Sequence, residues 1–409
     1  MRDTPQSLRP QVGFFGRRNV GKSALLNALA GQQVSLVSPV AGTTTDPVAK
    51  AMELRPLGPV VLVDTAGLDD VGDLGELRAG RSRQVLDRVD VGVLVARAGG
   101  FGAWEEALAG ELRRRGAGLV VAFSQADLQP AARAELAELE RRGLAGVVTS
   151  AVTGQGLEEL RLAVAAALPE QAQAPPPLVG DLVAPGAVVV LVTPIDSAAP
   201  RGRLILPQVQ ALRDLLDQEA FCLVTKETTL AAALRALRQP PALVVTDSQA
   251  FRQVASEVPA EVPLTSFSIL FARQKADLVE GARGARAIDR LQPGDRVLVA
   301  EACSHHPTGE DIGRVKIPHW LTQRVGGPLR IETVAGHDFP ADLDQHRLVV
   351  HCGACMLGRR EMQARLRRCR EAGVPVTNYG LAIAQSLGIL ERALGPFPEA
   401  LAAWRAARG

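Results

Sequence analysis

Five residues, His351-Cys352-Gly353-Ala354-Cys355, bring two thiols and an imidazole together directly after the apolar run Leu348-Val349-Val350. Two cysteines with two residues between them can chelate one metal ion or two irons of a cluster. A third thiol lies upstream in Glu301-Ala302-Cys303-Ser304-His305-His306-Pro307, where Glu301 adds a carboxylate and His305 a second imidazole beside a cysteine. Isolated cysteines often pack as small hydrophobes, but that leaves a Cys-x-His and a His-Cys-x-x-Cys in one segment unexplained. The spacing also permits a structural zinc site with three cysteines and one histidine. Cys222 and Cys369 stand apart from these groups and read as core residues.

A second chemistry sits near the start of the chain. The apolar Val12-Gly13-Phe14-Phe15 leads into Gly16-Arg17-Arg18-Asn19-Val20-Gly21-Lys22-Ser23 and then a helical run from Ala24 to Ala30. In this setting glycines let the backbone wrap phosphates, amides including that of Gly21 point inward at a helix N-terminus, Lys22 neutralises β/γ oxygens and the Ser23 hydroxyl takes Mg²⁺. Gly42-Thr43-Thr44-Thr45-Asp46 offers a switch threonine for that metal. The buried strand Val60 to Val63 ends in Asp64-Thr65-Ala66-Gly67, where Asp64 can hold Mg²⁺ through water and the Gly67 amide can sense a γ-phosphate. These segments fall in the order a GTPase needs.

Base recognition departs from the usual Asn-Lys-x-Asp. The strand Leu119 to Phe123 is followed by Ser124-Gln125-Ala126-Asp127, in which Asp127 can still accept two hydrogen bonds from a guanine edge. Ser124 lacks an asparagine's amide, and Gln125 replaces the lysine stem that would cover the base. Ser150-Ala151, after the strand Gly146 to Thr149, matches the loop that completes a guanine pocket.

The elements that must position these groups are short apolar strands alternating with helical patterns, which is the signature of α/β folds with parallel sheets. At 409 residues and 47% hydrophobic content the chain can build two or three cores. A P-loop GTPase domain is expected over residues 1–170, then two smaller α/β domains with parallel sheets over 178–265 and 266–409. The run Pro169 to Pro177, rich in proline, alanine and glutamine, marks the first boundary. In the middle domain, Val188 to Val192, Cys222 to Val224 and Ala242 to Val245 read as strands, with helical patterns over Gln208 to Ala220 and Leu230 to Leu237. In the third, Arg296 to Ala300, Arg347 to Val350 and Val374 to Val376 read as strands, followed by a helical pattern from Leu381 to Leu394. If these strands are parallel, the loops carrying Cys303 and Cys352 meet at one sheet edge, where open α/β sheets bind ligands.

Composition narrows the classes further. With 46 Lys and Arg against 44 Asp and Glu the net charge is +2, which gives no surplus for a phosphate backbone, so no nucleic-acid partner is expected. No apolar run is long enough to span a bilayer and Met1 to Gln6 lacks a signal-peptide core, so a cytoplasmic protein without a membrane partner is expected. Five cysteines, two of them next to or near histidines, favour metal binding over disulfides in that compartment.

Over roughly residues 10 to 168, the motifs Gly16 to Ser23, Gly42-Thr43-Thr44, Asp64 to Gly67 and Ser150-Ala151 closely resemble the TrmE/Era-like GTPases. That resemblance implies K⁺ on Asn19, with Ser38, Val40 and Thr43 in the K⁺ loop, and Mg²⁺ on Ser23 and Thr44. Lys22, Thr44 and Asp64 then carry GTP hydrolysis. Leu68 stands where Ras-type proteins have a water-orienting glutamine, so hydrolysis is expected to be slow and stimulated by K⁺.

The pair Cys303-x-His305 and His351-Cys352-x-x-Cys355 behind such a domain resembles the FeFe-hydrogenase maturation GTPases, the HydF family, over nearly the whole chain. The likeness extends through Val179-Gly180-Asp181-Leu182, Pro207-Gln208-Val209-Gln210 and Asp311 to Pro318. It implies a 4Fe-4S cluster on Cys303, Cys352 and Cys355 and a homodimer formed through the middle domain. It also implies a scaffold or carrier role, in which a diiron unit is delivered to apo FeFe-hydrogenase with radical-SAM maturases as partners. Three thiolates leave one iron without a cysteine, and His305, His351 and Glu301 are the candidates for it. The competing reading is a regulatory GTPase with the zinc site.

Overall fold

Strands β1 (Gln11–Phe15), β2 (Val48–Leu54), β3 (Gly58–Asp64), β4 (Val91–Arg97), β5 (Gly118–Ser124) and β6 (Ala145–Val148) form one sheet in the order β2-β3-β1-β4-β5-β6. The computed structural model describes residues 5–31, 48–65, 84–129, 133–173, 176–195, 201–302 and 311–407. Only β2 runs antiparallel to its neighbour. The central strands are buried on both faces, which is why β4 is apolar from Val91 to Ala96 without alternation. Helices α1 (Lys22–Ala30) and α4 (Leu157–Ala167) cover one face through Leu25, Leu26, Leu29, Leu160 and Val164. Helices α2 (Ala103–Arg114) and α3 (Arg133–Arg141) cover the other through Leu108, Leu112 and Leu139. These elements belong to a compact unit of residues 1–175.

Residues 176–409 form a second unit with two sheets. In the first sheet, β7 (Val188–Val192), β8 (Phe221–Thr225), β9 (Leu243–Thr246) and β10 (Leu264–Ser266) are parallel in the order β10-β9-β7-β8, with α5 (Leu206–Asp217) between β7 and β8 in sequence. Helix α6 (Phe267–Lys275) follows β10 without a loop, capped by the Ser266 hydroxyl accepting from the Ile269 amide, and α7 (Leu278–Ala285) follows it. In the second sheet, β11 (Arg296–Ala300), β12 (Arg330–Val334), β13 (Leu348–His351) and β14 (Val376–Asn378) are parallel in the order β12-β11-β13-β14. Helix α8 (Ile317–Val325) precedes β12, and α9 (Arg359–Glu371) lies between β13 and β14.

One hydrophobic core joins the first sheet to the helices that follow it, from Leu178 and Val189 through Phe267, Leu270 and Phe271 to Leu381 and Trp404, while the second sheet packs into two further cores, with Leu298 and Val349 in one and Val297 and Val350 in the other. Position 265, where the expected boundary falls, lies inside β10. The helical pattern expected over Leu381 to Leu394 divides, because α10 (Tyr379–Ser386) ends before Gly388, whose φ of 73° turns the chain. A final helix, α11 (Pro398–Ala406), packs Trp404 into the core. Among the described residues no helix is long and apolar enough to cross a membrane.

Candidate functional site: a nucleotide edge and a cysteine loop

The parallel strands of the first sheet end at one edge, and the loops leaving them carry the nucleotide-site residues. Two glycines make the first loop feasible. Gly16 has φ 149°, and a Cβ there would stand 2.3 Å from the Val95 carbonyl oxygen; Gly21, with φ 89°, caps α1. Asn19 between them also has positive φ, at 57°. Lys22 is 7% exposed and donates to the carbonyls of Gly16 at 3.0 Å and Arg17 at 2.7 Å. The Ser23 hydroxyl donates to Asp64 Oδ2 at 2.5 Å, so the two groups expected around Mg²⁺ already touch. Arg17 turns to Glu105, 2.7 Å away, and lies over the Trp104 ring.

At the base end, Ser150 donates its hydroxyl to Asp127 Oδ1 at 2.5 Å, and the Ala126 amide donates to the Thr149 carbonyl. Ala151 follows in the same loop. Ser124 is buried and donates to the Val20 carbonyl at 2.5 Å, which stitches this loop to the phosphate loop. Gln125, with φ 60°, places Nε2 3.4 Å from the Asn19 carbonyl. Arg97 donates to the same oxygen at 2.7 Å. Arg97 is a charge ending the otherwise apolar β4, one weak sign of a role at the strand end. Ser38, Val40, Thr43, Thr44, Gly67 and Leu68 lie outside the described residues.

The second site forms where β11 and β13 end side by side. The Cys352 amide donates to the Ala300 carbonyl at 2.9 Å, and the Ala302 amide donates back to Cys352 Sγ at 3.0 Å. A second amide, of Ala354, lies 3.4 Å from the same sulfur. Amides aimed at a sulfur favour its thiolate, the form that binds metals. Cys303 and His305 lie outside the described residues, which resume at 311; Ala302, one residue before Cys303, is at the Cys352 sulfur. Cys355 is mostly buried, and burial pushes its thiol up while Lys275 pulls it down. Among the described residues no three metal-ligating side chains form a cluster.

The two described candidates for a fourth ligand are engaged elsewhere. His351 is 0% exposed; its Nδ1 faces the Cys352 carbonyl at 3.0 Å, and Arg365 donates to its Nε2 at 2.9 Å. Burial first, then the Arg365 charge, push His351 down to about 3, so the imidazole is neutral and both ring nitrogens are used within the protein. Glu301 is 3% exposed and lies 3.3 Å from Arg314. Cys369 is fully buried in α9, and burial pushes its thiol up to about 12, as suits a core residue. His346 is buried against Glu332.

Residues 11–125 match a family model described as a 50S ribosome-binding GTPase. Residues 178–276 match the hydrogen maturase F dimerization domain, and residues 277–396 match the hydrogen maturase F tetramerization domain, together more than half of the chain. The chain belongs to the hydrogen maturase F family. Its first unit is a P-loop GTPase domain, and the family's own segments support self-association.

Other relatives match part of the chain. The tRNA modification GTPase MnmE of Paraburkholderia xenovorans is 39% identical over 156 residues, covering 37% of this chain and 32% of that protein. GTPase Der of Thermomicrobium roseum is 39% identical over 130 residues, covering 31% of this chain and 28% of that protein. The chain thus spans about a third of the length of the curated relatives it matches. Among solved structures, Era of Aquifex aeolicus bound to GDP and aluminium fluoride has a TM-score of 0.36 at 21% identity, covering 55% of this chain and 97% of that one.

Proposed function

We propose that this chain is a GTP-hydrolysing scaffold or carrier that holds a 4Fe-4S cluster on Cys303, Cys352 and Cys355 and delivers a diiron unit to apo FeFe-hydrogenase, with radical-SAM maturases as partners. The observation that carries the reading is the junction of β11 and β13. There the chain leading to Cys303 donates an amide to the Cys352 sulfur inside a segment that matches hydrogen maturase F. The donor set fits: amides solvate one sulfur, and a buried ammonium faces the loop carrying the other. A bound four-iron cluster supplies one iron without a thiolate, suited to an exchangeable ligand. With His351 held by Arg365, that position falls to His305 or to a ligand from solvent. Iron and acid-labile sulfide assayed on the anaerobically reconstituted full chain test this. A colourless protein loaded with zinc would support the structural-zinc reading instead.

The homodimer has a physical candidate in β8. It is an edge strand of its sheet, with Phe221 63% and Val224 41% exposed. On the nucleotide side, Asn19 with Ser38, Val40 and Thr43 forms the K⁺ site of this reading, and Thr44 joins Ser23 on Mg²⁺. Hydrolysis is expected to run severalfold faster in K⁺ than in Na⁺ at equal ionic strength, and Asn19→Ala should erase the difference. Equal rates for the parent in both salts would remove the K⁺ assignment.

The base loop yields a second expectation. Ser124 already bridges to the phosphate loop, so Ser124→Asn adds little, whereas Gln125→Lys restores a covering stem and a charge beside the Asn19 carbonyl. A contact of this kind contributes roughly 0.5–1.5 kcal/mol, so GTP should bind up to about tenfold tighter. Arg97→Ala should weaken GTP binding in the parent and by less in the Gln125→Lys background, because both cations serve one oxygen. Additive effects in titration calorimetry would mean that Arg97 acts independently of the base loop.

A further inference from the structure

Lys275, the last residue of α6, is 2% exposed, and its ammonium is spent on one loop. It donates to the carbonyls of Ala354 at 3.0 Å, Cys355 at 3.3 Å and Leu357 at 2.8 Å, matching its three protons to three acceptors. The Phe271 ring, one turn earlier, lies 5.4 Å beneath the charge. The end of the helix is held in turn by Gln363, which donates to the carbonyls of Lys275 at 3.2 Å and Ala276 at 2.9 Å. Ala354 sits in the left-handed region at φ 53°, a conformation that the surrounding contacts must hold.

The neighbouring buried cation differs in one respect. Arg365 has Glu361 as a counter-charge at 3.2 Å, whereas among the described residues no carboxylate pairs with Lys275. A buried charge without a counter-charge is costly even when its hydrogen bonds are made, so an anion that it faces would stabilise it. It lies against the loop that carries Cys352 and Cys355, and the thiols of both act on it electrostatically. Three thiolates outnumber the charges of a dicationic four-iron core, so a cluster at this loop is anionic and becomes more so on reduction.

We propose that Lys275 is the positioning residue and internal counter-charge of the cluster: it clamps residues 354–357 into the shape that presents Cys352 and Cys355, and its fixed positive charge offsets the cluster's negative one. The proposal rests on the 4Fe-4S reading. The clamp acts with or without the cluster, and the charge acts on the cluster's redox balance. Removing the charge disfavours the more negative, reduced state.

The test compares the full chain with Lys275→Met and Lys275→Arg. In cluster-free protein, amides of the peptide spanning 352–358 should exchange with deuterium at least tenfold faster in Lys275→Met, while peptides over β7 and β9 keep parental rates. In reconstituted protein, the cluster's reduction potential should move to more negative values in Lys275→Met and return toward the parental value in Lys275→Arg. GTP hydrolysis should be parental in both variants. If Lys275→Met does not fold, Lys275→Gln, which keeps a donor but no charge, should show the same potential shift with a smaller change in exchange. Parental potential and parental exchange in the neutral variants would overturn the proposal, as would an equal potential shift in Lys275→Arg and Lys275→Met. A parent chain that takes up no iron or sulfide would overturn the cluster reading itself and with it the counter-charge. The two failures are distinguishable, since the latter shows in the parent alone.

Discussion

Replacing any one of Cys303, Cys352 and Cys355 by serine should abolish cluster assembly while GTP is hydrolysed at close to the parental rate. A serine hydroxyl stays protonated at neutral pH and is a poor ligand for iron, so each substitution leaves two thiolates where three are needed. Cys352 should be the most severe, because its sulfur accepts from the amides of both Ala302 and Ala354 and so also aligns the ends of β11 and β13. Hydrolysis should survive because the P-loop belongs to the compact unit of residues 1–175, with its own cores on both faces of its own sheet. Iron, sulfide and phosphate release measured on the same preparations check this. Full iron and sulfide content in all three variants would refute the ligand assignment.

The complementary substitution should invert that pattern. Lys22→Ala is expected to slow GTP hydrolysis by about 10²–10³, the usual cost of losing one preorganised charge donor at a developing anion, with cluster content unchanged. In this structure the ammonium is occupied by the carbonyls of Gly16 and Arg17. It must exchange those two acceptors for phosphate oxygens when nucleotide binds, and alanine can make neither set. Single-turnover rates at saturating GTP separate this loss from weaker binding. A variant with near-parental turnover would show that the charge comes from elsewhere, with Arg97 on the Asn19 carbonyl a source to examine.

Much of this was legible because the strands are buried on both faces. Runs such as Val188 to Val192 and Arg296 to Ala300 have few alternatives to a parallel sheet, and the motifs at their ends fix what the edge carries. Four strands are missing from the sequence reading: β4, although it is apolar and buried, and three for which this logic weakens. β12, with the sequence Arg-Ile-Glu-Thr-Val, is a half-buried edge strand; β10 is three residues long and merges into α6; β2 is largely exposed. Tertiary contacts were harder still. Nothing near Lys275 in the sequence indicates that its ammonium ends against a loop some eighty residues on, or that Arg365 would occupy the imidazole of His351. Long-range polar contacts leave no periodicity to read.

The core that joins the first sheet of residues 176–409 to α6 carries a mechanical implication. Phe267, Leu270 and Phe271 of α6 pack in the same interior as Val189 of the first sheet and Leu381 and Trp404 of the last helices, and Lys275 at the end of α6 holds the cysteine loop. Such a body behaves as a lever, not as beads on a string. Through α6 and Lys275, a grip on the exposed edge of β8 would be passed to the loop that carries Cys352 and Cys355. Under the proposed carrier role, the spacing and orientation of two such loops in a symmetric assembly would be set by the handle and not by what they carry. A recipient protein docking on one loop would meet a geometry already decided tens of residues away.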